Sequence, residues 1–245
     1  MAVLAKLSIV IPAYNEERRL APTLDKIFSY LDSVPGQSAE VIVVDDGSRD
    51  QTAALVEKRA QAEPRLRLVR NPCNRGKGFS VRHGMEKAQG EWLLMSDADL
   101  SAPIEELQKL VDAAGKAGAR VAIGSRAMDR SLIGVHQNRL REISGIVFNR
   151  VMRLITGLPF KDTQCGFKLY HREAARLIFP RQQLDGFGFD VEDLFIARKL
   201  GIASIEVPVK WNNVEGTTVS LAQALKAFTD LLVIRWHSLA GRYRR

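Results

Sequence analysis

Two aspartates separated by a single residue, Asp97 and Asp99, directly follow an apolar segment of the chain. That segment, residues 91–95, has the composition of a buried strand, and open α/β sheets bind ligands beyond the carboxyl ends of their strands. Two carboxylates at this spacing could hold one hard divalent cation, with water and phosphate oxygens as its other ligands. An isolated pair would more simply be a solvated turn or a cap for the helix that begins near Pro103, so its chemistry depends on what lies beside it.

Three further turns follow predicted strands and carry side chains suited to a nucleotide. They are residues 11–16, residues 45–48 and residues 74–78. In the third turn, two glycines let the backbone approach a phosphate while Arg75 and Lys77 supply positive charge. In a parallel sheet all of these turns meet at one edge, where carboxylates, a cation and a basic loop together suit a nucleoside diphosphate.

Strands alternate with helices through the first half of the chain. The predicted strands are residues 7–11, 41–44, 66–69, 91–95 and 120–124, with helices at 16–31 and from about 48 to 62. This alternation predicts an α/β fold with a mostly parallel, Rossmann-like central sheet covered by helices on both faces.

Beyond Arg126 the pattern becomes mainly helical. Helices are predicted at residues 143–155, from about 173, at 191–200 and from 221, and residues 205–211 predict a single strand. We expect one domain over residues 1–215, followed by a basic amphipathic helix over residues 216–245.

Composition indicates a folded, water-soluble chain, since 46% of its 245 residues are hydrophobic and 26% are charged. Cys73 and Cys165 offer neither a disulfide framework nor metal-ligand spacing, which favours a reducing compartment. Uncharged apolar runs stay shorter than the roughly 18 residues of a membrane span, and residues 1–6 lead straight into a predicted strand. We therefore expect a cytoplasmic protein without a signal peptide.

The formal net charge of +8 calls for an anionic partner. Nucleic acid does not fit, because aromatic residues are not interleaved with the basic residues in a stacking pattern. A lipid surface or a phosphorylated substrate fits better. The arginines concentrate in residues 126–153 and 235–245.

Four further segments, taken with these turns, resemble the inverting GT-A glycosyltransferases of family 2 over nearly the whole chain. The segments are residues 96–103, 124–126, 162–168 (Asp-Thr-Gln-Cys-Gly-Phe-Lys) and 189–192. The third segment is specific to the branch of dolichyl-phosphate glucosyltransferases and their bacterial polyprenyl-phosphate relatives. The resemblance implies the GT-A fold for the domain predicted above.

The resemblance also implies how a nucleotide sugar binds. Asp97 and Asp99 would hold Mg²⁺ or Mn²⁺ against the pyrophosphate, with Ser101 standing where mannose synthases place a metal-contacting glutamine. Asp45 or Asp46 would contact the base or the ribose. The other residues implied for the nucleotide-sugar pocket are Pro12, Ala13, Tyr14, Glu16, Arg75, Gly76, Lys77 and Ala98.

A cation at this position is also useful on chemical grounds. Breaking the bond between a sugar and a phosphate develops negative charge on the departing nucleoside diphosphate, and a bound metal stabilises that charge as a Lewis acid. Lys77 or Arg75 could add to this stabilisation.

The acceptor side calls for positive charge rather than for a strong base. A phosphate monoester has a second pKa of about 6 and is largely ionised at neutral pH, whereas a hydroxyl acceptor needs a general base. Arg126, Arg139 and Arg141, followed by Ser144, meet that need and match the arginine-containing acceptor loop of the polyprenyl-phosphate branch.

Asp190 and Glu192 match the glucosyltransferase pattern and could contact sugar hydroxyls or act as a base, although Asp190 is equally suited to start a helix. Lys168 and Asp162 are expected to form a structural ion pair, and Cys165 to pack as a small residue. The histidines show no metal-binding spacing and receive no catalytic role.

A polyprenyl phosphate is confined to a bilayer, so an enzyme without a membrane span must lie on its surface, here the inner face. Residues 143–155 and 221–245, the latter with Trp236 flanked by arginines, suit interfacial helices on anionic lipid. Core packing explains the tail equally well. A membrane-protein partner and self-association are further alternatives.

The sequence thus predicts a metal-dependent hexosyltransferase that moves glucose from UDP-glucose to polyprenyl or dolichyl phosphate with inversion. The residues expected at the reaction are Asp99, Arg126, Arg139, Arg141, Asp190 and Glu192. GDP-mannose is the alternative donor. A hydroxyl acceptor is the alternative acceptor and requires Asp190 or Glu192 as base. A non-catalytic module that binds nucleotides or anionic surfaces is the remaining class, against which the intact aspartate pair argues.

Overall fold

The protein is described by a computed structural model. It covers the backbone of residues 6–34, 36, 38–135, 139–214 and 221–244, and the side chains of all of these except 139–143 and 221–225. The strands are β1 (Leu7–Ala13), β2 (Ala39–Asp45), β3 (Leu66–Arg70), β4 (Trp92–Ser96), β5 (Val121–Ser125), β6 (Ile133–Val135), β7 (Phe167–His171), β8 (Ser204–Pro208) and β9 (Trp211–Asn212). The helices are α1 (Glu17–Ser33), α2 (Thr52–Ala60), α3 (Lys77–Lys87), α4 (Leu107–Ala117), α5 (Arg139–Thr156), α6 (Arg172–Ile178), α7 (Phe189–Lys199) and α8 (Leu221–Leu239).

Seven strands form the central sheet in the order β3-β2-β1-β4-β7-β5-β8. The neighbours pair in parallel except at β7, which runs antiparallel to both β4 and β5. The inner strands are apolar on both faces; residues 41–44 of β2, for example, are fully buried. Such strands need helices on both sides, and the prediction of an α/β fold with a mostly parallel central sheet is confirmed.

Two hydrophobic cores lie on opposite faces of the sheet. Alternate side chains of β1 divide between them, with Ile9 and Ile11 in one core and Val10 in the other, as the two-residue period of a strand requires. Helices α1, α2 and α4 cover the first face, and α3, α5, α6, α7 and α8 cover the second.

Strand β7 is a central strand that the sequence pattern did not predict. Residues 167–171 insert between β4 and β5 from a distant part of the chain. The register pairs Phe167 with Ser96, so the residues just before β7 lie beside the end of β4.

The single strand predicted over residues 205–211 is wrong in its extent. Strand β8 ends at Pro208, which has no N–H to continue a ladder, and β9 then pairs in parallel with β6 in a separate two-stranded sheet. This small sheet brings Trp211 to the edge where β5 ends.

Helix α8 has one buried face and one exposed apolar face. Ala227, Leu231 and Ile234 join the second core, whereas Leu232 and Trp236 are 61% and 56% exposed. Core packing, one of the two interpretations of the C-terminal helix, therefore describes its inner face, whereas its contact with lipid stays a prediction. The domain boundary predicted at residues 215–216 lies outside the described residues. Within the described part of the chain, no helix has the length and apolar character to cross a bilayer.

Candidate active site

The ends of the parallel strands bring the predicted turns to one edge of the sheet. Ala13 at the end of β1 pairs in register with Asp45 at the end of β2, and β1 also pairs with β4, which leads to Asp97. The Asp97 backbone N–H donates to the carbonyl of Gly166, 3.1 Å away, which ties the aspartate pair to the approach of β7.

The turn between the two aspartates is rigid. The Thr23 hydroxyl of α1 donates to the Ala98 carbonyl at 2.7 Å, and Asp99 Oδ1 accepts the Ser101 N–H at 2.9 Å. Leu100 adopts a φ of 47°, a left-handed conformation that is unfavourable for leucine. Its side chain is buried in the first core, and this packing offsets the conformational strain.

Gly166 leaves the space that the Asp97 carboxylate fills. A Cβ at this position would lie 1.9 Å from Asp97 Oδ2 and 2.2 Å from its Cγ, far inside van der Waals contact. Any other residue would displace the carboxylate, which explains the glycine within the 162–168 segment.

Lys77, the first residue of α3, is the basic side chain that reaches the aspartate pair. Its Nζ lies 2.6 Å from Asp97 Oδ1. Burial disfavours the ammonium form, but Asp97, Asp190 and Asp99 outweigh that penalty and raise the pKa of Lys77. The lysine therefore stays charged and faces the carboxylates from a helix N-terminus.

Arg75 makes its contacts elsewhere. Its guanidinium lies 4.0 Å from the centre of the Phe79 ring and 3.6 Å from Asp185, and the side chain is about half exposed. Of the two basic residues predicted for this loop, Lys77 contacts the aspartate pair, whereas Arg75 lies at the rim of the site.

The acidic residues after β2 have different environments. Asp46 accepts the backbone N–H groups of Arg75 at 2.9 Å and Gly76 at 2.8 Å, one on each oxygen, so its carboxylate anchors the basic loop. Asp45 Oδ2 lies 3.6 Å from Arg70 Nε and accepts no hydrogen bond from the described residues. Asp45 is therefore the member of the pair with one oxygen that lacks a hydrogen bond among the described residues and lies near Arg70.

Glu16 lies close enough to the aspartate pair to share its electrostatics. Burial raises the pKa of Glu16, Asp99 and Asp97 raise it further, and Arg19 opposes the shift through two hydrogen bonds of 2.6 Å. Beside it, the Tyr14 ring is 41% exposed. This turn thus presents an open aromatic face next to the carboxylates.

Arg126 follows β5, and its side chain is held by two others. Its Nε and Nη2 donate to the two oxygens of Asp162 at 2.7 and 2.8 Å, and the guanidinium lies 5.4 Å from the Trp211 ring centre. Burial works against the charge of Arg126, but Asp162 and, more weakly, Asp97 raise its pKa overall. Burial would raise the pKa of Asp162, yet the guanidinium lowers it below its usual range. The two thus form a fixed charge pair beside the aspartates.

The expected ion pair between Lys168 and Asp162 is wrong. Along β7, Phe167 and Leu169 enter the first core, so the alternation of the strand places Lys168 on the opposite face. There it forms a buried ion pair with Asp190 of α7. Burial raises the pKa of Asp190, against the attraction of Lys168 and Lys77.

Glu192 is committed to hydrogen bonds within the protein. Its Oε2 accepts the N–H groups of Gln183 and Leu184 at 3.0 and 2.8 Å, and its Oε1 accepts the Tyr243 hydroxyl at 2.7 Å. The residue is fully buried. These contacts describe a structural anchor, whereas Asp190 remains electrostatically linked to Lys77.

The roles of Arg139 and Arg141 in binding the acceptor phosphate remain predictions. Arg139 begins α5, but the side chains of both arginines lie outside the described residues. Ser144, on the next turn of the same helix, is exposed.

The donor atoms at the sheet edge suit a hard divalent cation. Asp97 and Asp99 offer carboxylate oxygens, the ligands that Mg²⁺ and Mn²⁺ prefer, and Gly166 keeps the required space open. Among the described residues, no cluster of three or more His, Cys, Asp or Glu side chains could bind a metal.

Sequence reasoning missed one residue and one ion pair at this site. Trp211, which packs on Arg126, belongs to a strand too short to be recognised. The ion pair between Lys168 and Asp190 could have been predicted in part, because a fully buried lysine inside an apolar strand must be paired with a carboxylate.

Replacing Gly166 by alanine tests the space reserved for Asp97. The added methyl would force the carboxylate out of place, and we expect Mn²⁺ affinity to fall by about tenfold or more, which corresponds to roughly 1.4 kcal/mol. Gly115→Ala in α4 is the matched control, because nothing lies within 4 Å of the added Cβ. Mn²⁺ binding would be followed by electron paramagnetic resonance; an unchanged affinity in Gly166→Ala would contradict the assignment.

Known proteins match both this geometry and the sequence. The family model described as glycosyl transferase family 2 matches residues 8–179. The chain is 37% identical to a dolichyl-phosphate beta-glucosyltransferase of Trichomonas vaginalis, over 96% of this chain and 72% of that protein. It is 36% identical to the human dolichyl-phosphate beta-glucosyltransferase, over 98% of this chain and 78% of that protein.

Solved structures share the fold at lower identity. Glucosyl-3-phosphoglycerate synthase from Mycobacterium tuberculosis, in complex with Mn²⁺, UDP and glucosyl-3-phosphoglycerate, has a TM-score of 0.67 at 22% identity, covering 94% of this chain and 80% of that one. Mannosyl-3-phosphoglycerate synthase from Rubrobacter xylanophilus has a TM-score of 0.71 at 16% identity, covering 98% and 76%. The fold is GT-A. By its family match and its relatives, the chain belongs to glycosyl transferase family 2.

Proposed function

We propose that this protein transfers glucose from UDP-glucose to dolichyl or polyprenyl phosphate and inverts the anomeric carbon. The observation that carries the proposal is the placement of two cationic side chains around one aspartate pair. Lys77 contacts Asp97 directly, and Arg126 lies close enough for the charge of Asp97 to affect its pKa. The relatives named dolichyl-phosphate beta-glucosyltransferase support the same donor sugar and acceptor class.

The donor half of the site stabilises the leaving group. A divalent cation bound by Asp97 and Asp99 would act as a Lewis acid on the departing diphosphate. Lys77, held charged at the start of α3, supplies a second fixed positive charge to the same phosphates. We assign contacts with the nucleoside to the exposed Tyr14 side chain and to Asp45, whose Oδ2 accepts no hydrogen bond from the described residues.

The acceptor half binds an anion that is already a nucleophile. Asp162 and Trp211 hold the Arg126 guanidinium in one orientation, so it can place a phosphate oxygen without removing a proton from it. A hydroxyl acceptor would need a free carboxylate as base. Asp190 is paired with Lys168 and Glu192 is fully hydrogen-bonded, which favours the phosphate.

A shared apolar surface of α5 and α8 supports a position on the membrane. We define this membrane-facing surface by its exposed apolar residues, which are Ile146, Val147, Leu154, Leu232, Trp236 and Leu239. Exposed Arg150, Arg153 and Arg235 lie on the same helices, and apolar residues with flanking arginines suit an anionic lipid interface. The protein would then sit peripherally on the inner face of the membrane, where a polyprenyl phosphate reaches it.

A donor panel tests the reaction. We expect transfer to a short polyprenyl phosphate from UDP-glucose with Mg²⁺ or Mn²⁺, no transfer with EDTA, and a kcat about a hundredfold lower in Asp97→Asn, since the cation and Lys77 both act through this residue. Asp25→Asn, in an exposed ion pair on α1, is the control. Transfer from GDP-mannose alone, or transfer without metal, would rule out the donor half as described.

Replacing Arg126 tests the acceptor half. We expect Arg126→Met to raise the KM for polyprenyl phosphate by roughly tenfold to a hundredfold, the range of a lost charged hydrogen bond, while UDP affinity stays unchanged. Arg126→Met alone leaves the buried Asp162 carboxylate without its partner. The double variant with Asp162→Asn removes that charge and serves as the check on folding. Arg120→Met, from an ion pair at the surface, is the control. An unchanged KM would contradict the assignment.

Vesicle binding tests the membrane-facing surface. We expect Leu232→Ser with Trp236→Ser to reduce binding to vesicles that contain phosphatidylglycerol by roughly tenfold, because about 25 cal/mol is lost for each Å² of apolar contact. Leu177→Ser, a 44% exposed leucine on α6, is the matched control. Equal losses in both variants, measured by co-sedimentation, would exclude this surface.

A further inference from the structure

The C-terminal segment, defined as α8 and the turn that follows it to Arg244, lies outside residues 8–179, where the family model matches. Among the polar side chains that it nevertheless buries are Asp230 and Tyr243, which are 5% and 2% exposed. Both contact the first half of α7, the helix that carries Asp190. Buried polar groups need such partners, and here the partners lie next to the site.

Asp230 caps α7 from another helix. The N-cap residue of α7 is Gly188, which has no side chain to satisfy the first N–H groups. The Asp230 carboxylate lies against Gly188, since a Cβ on Gly188 would lie 2.5 Å from Asp230 Oδ2, and the backbone of Gly188 opposes the rise that burial causes in the pKa of Asp230. A negative charge at a helix N-terminus is also favourable, so Asp230 fixes where α7 begins.

Tyr243 acts one turn further along, on the same side of α7. Its hydroxyl donates to Glu192 Oε1 at 2.7 Å, while Glu192 Oε2 accepts the Gln183 and Leu184 N–H groups. The single carboxylate thus links the C-terminal segment to the loop before α7. Removing the hydroxyl leaves a buried acceptor without its donor, which loosens that loop.

The same loop holds the start of α3. The Phe79 N–H donates to the Asp185 carbonyl at 3.2 Å, and Gln182 Nε2 donates to the Gly78 carbonyl at 2.9 Å. Arg82 of α3 adds an ion pair of 2.8 Å to Asp185. The first turn of α3, where Lys77 meets Asp97, is therefore packed on residues 182–185.

We propose that Asp230 and Tyr243 are positioning residues for the donor site: acting through Gly188, Glu192 and the 182–185 loop, they set the position of Lys77 at Asp97. The inference rests on the proposed function in one respect, that the aspartate pair binds the donor. It assigns a role in the reaction to a segment whose described contacts reach neither Asp97 and Asp99 nor Arg126.

Amide hydrogen exchange on the ligand-free protein is the first test. In Tyr243→Phe and in Asp230→Asn, we expect exchange at residues 78–80 and 183–185 to quicken by about tenfold or more, since exchange reports local opening. Tyr30→Phe is the matched control, because Tyr30 packs on the opposite face of the sheet. Exchange that quickens evenly over the whole chain, or not at all, would overturn the inference.

A double-mutant cycle on UDP affinity is the second test. With Mn²⁺ present, we expect Tyr243→Phe to weaken UDP binding several-fold, and to have little further effect in a Lys77→Met background, since residues on one path are not additive. An equal effect in both backgrounds would overturn the route through Lys77. If the unmodified chain binds no UDP, the proposed donor is wrong, and the exchange measurement still decides this inference.

Discussion

Four charges of alternating sign hold the site together: Asp97, Lys77, Asp190 and Lys168. Lys168 and Asp190 are almost wholly buried, and a buried charge without a partner would destabilise the fold by several kcal/mol. Each group therefore depends on the next, from the centre of the sheet to the edge proposed to bind the donor. Lys77, which holds Asp97 in place, is also the cation that would face phosphate.

Strand β7 makes this arrangement possible. It enters the sheet antiparallel between β4 and β5, with Gly166 at the point where Asp97 needs space and Lys168 two residues later on the face that meets α7. One short strand thus shapes the metal-binding edge and also secures the helix behind it. The specific segment 162–168 is the connection that leads into this strand, and its Asp162 holds Arg126 on the acceptor side.

The parallel strands β1, β2, β4 and β5 were predictable because each is a mostly apolar run, and buried parallel strands have that signature. The aspartate pair was predictable as well, since it directly follows such a run, and the basic loop was predictable from its glycines and positive charges. Strand β7 was not, because a lysine interrupts it and its pairing partners are distant in sequence. The roles of Asp46, Glu192 and Tyr243 could not be predicted either, since each is defined by hydrogen-bond partners that only the folded chain brings near.

The chain is basic around an acidic motif because the reaction brings two phosphate-bearing substrates together. A nucleoside diphosphate and a phosphate monoester repel each other, so positive charge must stand on both sides of the sugar; Lys77 and the cation would serve one side and Arg126 the other. The C-terminal helix has two different faces, because its outer face exposes Leu232 and Trp236 while its inner face carries Asp230. On the proposed membrane position, this helix would rest on lipid outside and on α7 inside, and would so connect the place where the acceptor arrives with the geometry of the donor site.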